Sequence, residues 1–127
     1  MSGSDASDLV HALERAQRRL RSLLGLRAAI APFRAALEVE EDPAEGVRHL
    51  LALWRPCQDR LDRVLDVVGS DLPQAVRLRA VGWEIEGHLL DEAQDRAGLA
   101  DAADALAQVC EALLPVSYTH LTLPTKA

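Results

Sequence analysis

Apolar residues recur at steps of three and four along nearly the whole chain, the spacing of helices that each bury one face. The first run is Leu9, Leu13, Ala16, Leu20, Leu23, Leu26, Ile30, Phe33 and Leu37. The second, Val47, Leu50, Trp54, Cys57, Leu61, Val64 and Val68, alternates threes and fours without a miss. Leu78, Val81, Ile85 and Leu89 make a third, and Leu99, Ala102, Leu106, Val109 and Leu113 a fourth. No stretch alternates with the period of a strand. The breaks carry helix punctuation. Ser7 or Asp8 can cap the first helix, and Glu38 to Asp42 is an acidic connector. Asp42-Pro43-Ala44-Glu45 is a capping box with proline at the first helical position. Gly69 is a stop, Ser70-Asp71-Leu72-Pro73-Gln74 a second start in the same style, and Gly98 a second stop. The pattern predicts an all-α, up-down four-helix bundle with helices at about 8–38, 43–68, 72–97 and 99–114, preceded by a disordered 1–7. Gly25 and Pro32 interrupt the long first helix. Proline removes a donor and disfavours helix at the residue before it, so a kink or break is expected there. Pro56 falls on the outer face of the second helix, where it stays out of the core.

The third helix has a second apolar face: Val76, Ala80, Trp83, Gly87, Leu90 and Ala97. A surface helix of a bundle needs only one such stripe. A second one containing Trp83 calls for cover, either from another subunit, from a partner helix or from further chain, unless helix three is central in the bundle and buried on both sides.

The last twelve residues differ from the rest. Tyr118, Lys126 and all the threonines (Thr119, Thr122, Thr125) lie there, whereas the preceding residues carry 13 Arg and no Lys. Val116 to Thr125 resembles, in one frame, the translation of a transposon-end adapter used in sequencing libraries. The expectation is that 115–127 is not native, and that the authentic chain runs on past Leu114 in residues not seen here.

At 49% hydrophobic and 27% charged residues, the composition is that of a folded domain. Aromatics are only 3%, so Leu, Ala and Val must fill the core. The net charge of −6 argues against nucleic acid as a partner, because phosphate repels an acidic surface. The charge is uneven: Leu9 to Leu37 holds six Arg against Glu14 alone, while the stretch from Asp71 to Leu114 is acidic. The simplest account places the basic first helix beside the acidic later ones. Cys57 and Cys110 fall on core faces and read as buried thiols. No apolar run approaches the roughly 20 residues of a membrane span, and no signal peptide is evident. A reduced, cytoplasmic setting is expected.

Candidate chemistry is sparse. Glu84, His88 and Glu92 follow at i, i+4 and i+8, with Asp91 and Asp95 nearby. Di-iron bundles use Glu-x-x-His, but the residue three before His88 is Ile85. His49 with Glu45 lies on the outer side of helix two. The reading is a solvated acidic face, with no metal and no cofactor. No phosphate loop, paired-cysteine motif or nucleophile elbow is present, so no catalytic residue is assigned. The remaining cluster is His11, Arg15 and Arg18 on the outer face of helix one with Arg19 at its flank, a density of guanidinium that suits polyvalent phosphate. The stretch resembles the opening helix of the conserved-histidine α-helical (CHAD) domains, which place a histidine seven residues before an Arg-Arg-Leu-Arg run, as His11 and Arg18 to Arg21 do. The resemblance covers about a dozen residues and implies polyphosphate binding. It departs from the family at Glu14, where the family has arginine, and in lacking a strongly basic surface.

The sequence therefore points first to a non-catalytic interaction module. Its interface would be Val76, Ala80, Trp83, Gly87 and Leu90, meeting a protein partner or a second copy, with neither nucleic acid nor membrane involved. An anion-binding domain using His11, Arg15, Arg18 and Arg19 is the alternative.

Overall fold

The computed structural model describes residues 2–39, 43–69, 72–91 and 96–115. They form four helices: α1 (Ser2–Leu37), α2 (Pro43–Val68), α3 (Pro73–Leu90) and α4 (Arg96–Leu113). Each packs on its neighbours in the chain, and α4 closes back onto α1. The result is the expected all-α four-helix bundle, with no strand among the described residues. The buried stripes are those the spacing marks. Leu23, Leu26, Ile30 and Phe33 meet Leu50, Trp54, Cys57, Leu61 and Val64 from α2. Leu78, Val81, Ile85 and Leu89 from α3, and Leu99, Ala102, Leu106, Val109 and Leu113 from α4, close the same core. Ala75, Ala103 and Gly82 set close approaches: a Cβ on Gly82 would stand 3.0 Å from Leu61 Cδ1, so α3 presses on α2 there. Phe33 and Trp54 are the aromatic pair, with ring centroids 5.4 Å apart at 47°.

Several boundaries differ from the sequence reading. The first helix does not begin at Ser7 or Asp8 after a disordered 1–7; its backbone is helical from Ser2. Nor does the helix break. It runs through Gly25 and Pro32 for 36 residues, or about 54 Å. Pro32 is exposed, so its missing donor falls on the solvent side. Gly25 makes room for a neighbour, since a Cβ there would lie 3.3 Å from Arg60 Nη1. α1 is longer than the bundle. The Cys57 thiol donates to the Ala29 carbonyl across the α1–α2 seam. Following that antiparallel register, α2 ends at Val68 beside Arg18. Every described side chain from Ala6 to Arg18 is exposed, Leu9 and Leu13 included, so the first third of the expected apolar stripe is uncovered.

The α3–α4 boundary also moves. α3 ends at Leu90 and not at Ala97, with Asp91 extended at ψ 126°. α4 starts at Arg96, so Gly98 is helical and not a stop, and Ala97 belongs to α4. Arg96 explains this return. Its Nη2 donates to the carbonyls of Leu37 at 3.1 Å and Val39 at 2.9 Å, with a longer contact to Ala36 at 3.4 Å. Those are the carbonyls left over at the end of α1, and a guanidinium satisfies them while complementing the dipole. α2 begins at Pro43 as expected, and Gly69 ends it with φ +97°. The N-cap of α3 is Leu72, with no side-chain hydrogen bond, ahead of Pro73. The expected caps Asp42 and Asp71 lie outside the described residues.

Candidate functional site

Two features of the surface stand out. The first is the outer face of α3. Because α2 and α4 take up its two inner flanks, Leu78, Val81, Ile85 and Leu89 are buried and the opposite side faces out. Val76 is 54% exposed, Trp83 67% and Leu90 75%, with Ala80 and Gly87 exposed between them. All five residues singled out from the sequence therefore share one uncovered stripe. Nothing lies within 4 Å of the point where a Gly87 Cβ would stand. Beside Trp83 the α2–α3 crease opens a hollow of about 120 Å³, floored by Trp54, Leu61 and Gly82 and rimmed by Arg79 and Glu86.

The second feature is a cleft of about 220 Å³ between α1 and α2, lined by Arg18, Arg21, Ser22, Arg60, Arg63 and Val67. Four guanidinium groups converge there and no carboxylate lines it. No ion pair joins any of the four to another described residue. Ser22 is buried and donates to the Arg19 carbonyl at 2.9 Å, which holds the wall in place. The sequence cluster is thus only partly assembled. Arg18 enters the cleft, while His11 and Arg15 lie on the overhang of α1 and Arg19 is outside the lining. His11 stands 3.9 Å from Glu14. Arg21, Arg60 and Arg63 were missed because two helices supply them, and only the α1–α2 register reveals that they meet.

Two arginines in the C-terminal half of α1 are answered. A groove of about 410 Å³ between α1 and α4 is crossed by Arg34–Asp104 at 2.6 Å and Arg27–Glu111 at 3.5 Å. This bears out the placing of the basic first helix beside acidic ones, although only its C-terminal half is so paired. Glu84 and His88 lie 3.8 Å apart at the surface, whereas Glu92 and Asp95 are outside the described residues. No group of three metal-ligating side chains forms among the described residues. Both thiols are buried: Cys57 donates to Ala29 O at 3.1 Å and Cys110 to Leu23 O at 3.6 Å. Burial pushes each thiol up to about 12, leaving neither as a nucleophile near neutral pH. No described helix is long and apolar enough to cross a membrane.

No family model matches the chain, and no curated protein or solved structure does. The likeness of helix one to the CHAD domains accordingly rests on its dozen residues alone.

Proposed function

We propose that this chain is a non-catalytic, cytoplasmic helical-bundle module that works by association through the outer face of α3. The observation that carries the reading is the exposure of Trp83, Val76 and Leu90 in one line on the outer face of a helix whose inner face is buried. Large apolar side chains desolvated at the centre of a contact dominate binding energy, and tryptophan leads among them. Small Ala80 and Gly87 let another backbone approach closely.

The test is a photo-crosslinking residue at position 83 of the full chain, irradiated in solution and in the producing cells. The same probe at exposed Asp101 on α4 is the control. A discrete adduct from position 83 and none from position 101 is expected. No adduct from position 83 overturns the reading.

The four-arginine cleft favours a second reading, binding of a polyvalent phosphate-type anion. Guanidinium groups bind such oxygens in pairs, and these four have no carboxylate to satisfy them. Its site would be Arg18, Arg21, Arg60 and Arg63 in place of His11, Arg15 and Arg19.

A further inference from the structure

Resting on the association reading, we infer that the outer face of α3 pairs with the same face of a second copy of the chain, with the two helices antiparallel. Val76, Ala80, Trp83, Gly87 and Leu90 follow one another at steps of four, three, four and three, which is the seam of a coiled coil. The large residues hold one of the two seam positions and the small residues the other. A parallel pair sets like against like. Trp83 would then face Trp83, and Gly87 would face Gly87 across a gap. An antiparallel pair sets one position against the other. With the two-fold axis at the middle of α3 (Pro73–Leu90), Trp83 lies against Ala80 of the second copy and Val76 against its Gly87. Each bulky side chain then meets a small one, which is how close-packed interiors are filled.

The charges beside the seam agree with this choice. Arg79 and Glu86 flank the stripe on one side, while Arg77 and Glu84 flank it on the other. In the antiparallel arrangement each flank meets the same flank of its copy, reversed. Arg79 comes within two residues of level with Glu86 of the second copy on the same flank, and Arg77 within two residues of its Glu84, a stagger their long side chains can span. The two-fold axis repeats both pairs. Within one chain neither Arg79 nor Arg77 forms an ion pair with a described residue. Such flanking charges choose partner and direction more than they add affinity. An 18-residue helix pair lies at the small end of specific interfaces, so dissociation at about 10 µM is expected.

The test is sedimentation of the purified full chain from about 1 to 300 µM, a range set around that constant. Beside it run Trp83→Glu, Arg79→Glu, Glu86→Arg and an equal mixture of the last two, with helix content checked for each. The wild type is expected to dimerise. Trp83→Glu should weaken this by at least about 100-fold and each charge reversal by about tenfold. The mixture should recover a heterodimer. There the new carboxylate at position 79 of one variant opposes the new guanidinium at position 86 of the other, and the unaltered Glu86 and Arg79 still pair. A dimer lost in Trp83→Glu but not recovered in the mixture overturns the antiparallel pairing and leaves the face as an interface. A wild type that stays monomeric while position 83 still crosslinks in cells overturns self-pairing and leaves the association reading standing. Loss of both signals removes the two together.

Discussion

The two cysteines show how burial alone sets the chemistry of a residue. Cys57 and Cys110 come from α2 and α4, and each thiol points at a backbone carbonyl of α1. Their thiols are pushed up to about 12 chiefly by desolvation, with Glu111 adding to it at Cys110. In the unfolded chain a thiol ionises from about pH 8.5–9, so above that pH the unfolded state binds fewer protons than the folded one. Stability is therefore unaffected below about pH 8.5 and falls as pH rises toward 12. The slope is about 1.4 kcal/mol per pH unit for each thiol. Urea unfolding at pH 8 and pH 10 should show this loss, and a Cys57→Ala, Cys110→Ala double variant should show a flatter dependence. By the same argument iodoacetamide at pH 8 should leave both thiols intact in the native protein and modify both in urea. Rapid labelling of the native protein would mean that the helices open at these seams.

Arg96 governs how two helices meet. It closes the end of α1 from the first turn of α4, fixing where the chain must turn after α3. Arg96→Ala leaves carbonyls at the end of α1 without their donor. Charge-assisted hydrogen bonds contribute about 1.5–3 kcal/mol, and partial exposure lowers this to about 1–2 kcal/mol here. A lower urea midpoint, with faster amide exchange confined to the last turn of α1 and the start of α4, is the expected result. This contact also marks the limit of what the sequence could tell. The buried stripes, the start at Pro43 and the stop at Gly69 are local signals, and they were legible. The end of α3 was not, because Asp91 to Asp95 holds neither glycine nor proline and the apolar spacing runs on to Ala97. What ends the helix is the need of α4 to double back onto α1, which is a tertiary demand. The overhang of α1 was hidden for the opposite reason: Leu9 and Leu13 continue a stripe whose partners stop beside Arg18. The α3 face was legible because one helix supplies all of it, whereas the arginine cleft needed two helices in register.

At the scale of the whole molecule, charge is arranged end to end. Toward the turn joining α1 to α2, the arginines of α1 are answered by α4 through Arg34–Asp104 and Arg27–Glu111. Toward the overhang, Arg18 and Arg21 face Arg60 and Arg63 across the cleft, positive against positive. Asp59, Asp62 and Asp66 are interleaved with Arg60 and Arg63 along α2, yet none lines the cleft and none pairs with its four arginines. Surface like-charge contacts cost a few tenths of a kcal/mol each at low salt and are screened within about 10 Å at 0.1 M. Arg63→Gln should therefore raise the melting temperature slightly in low salt and make no difference at high salt. Arg63 is the position to change because Arg60 also packs over Gly25, so that altering it would mix lost packing with lost charge. If the cleft holds polyvalent phosphate, a short polyphosphate should raise the melting temperature of the wild type at low salt. That shift should shrink at high salt and in Arg63→Gln, while Arg34→Gln, changed at the answered end, should retain it. An equal polyphosphate response in Arg63→Gln and Arg34→Gln would place the effect on net charge, and the cleft reading would fall.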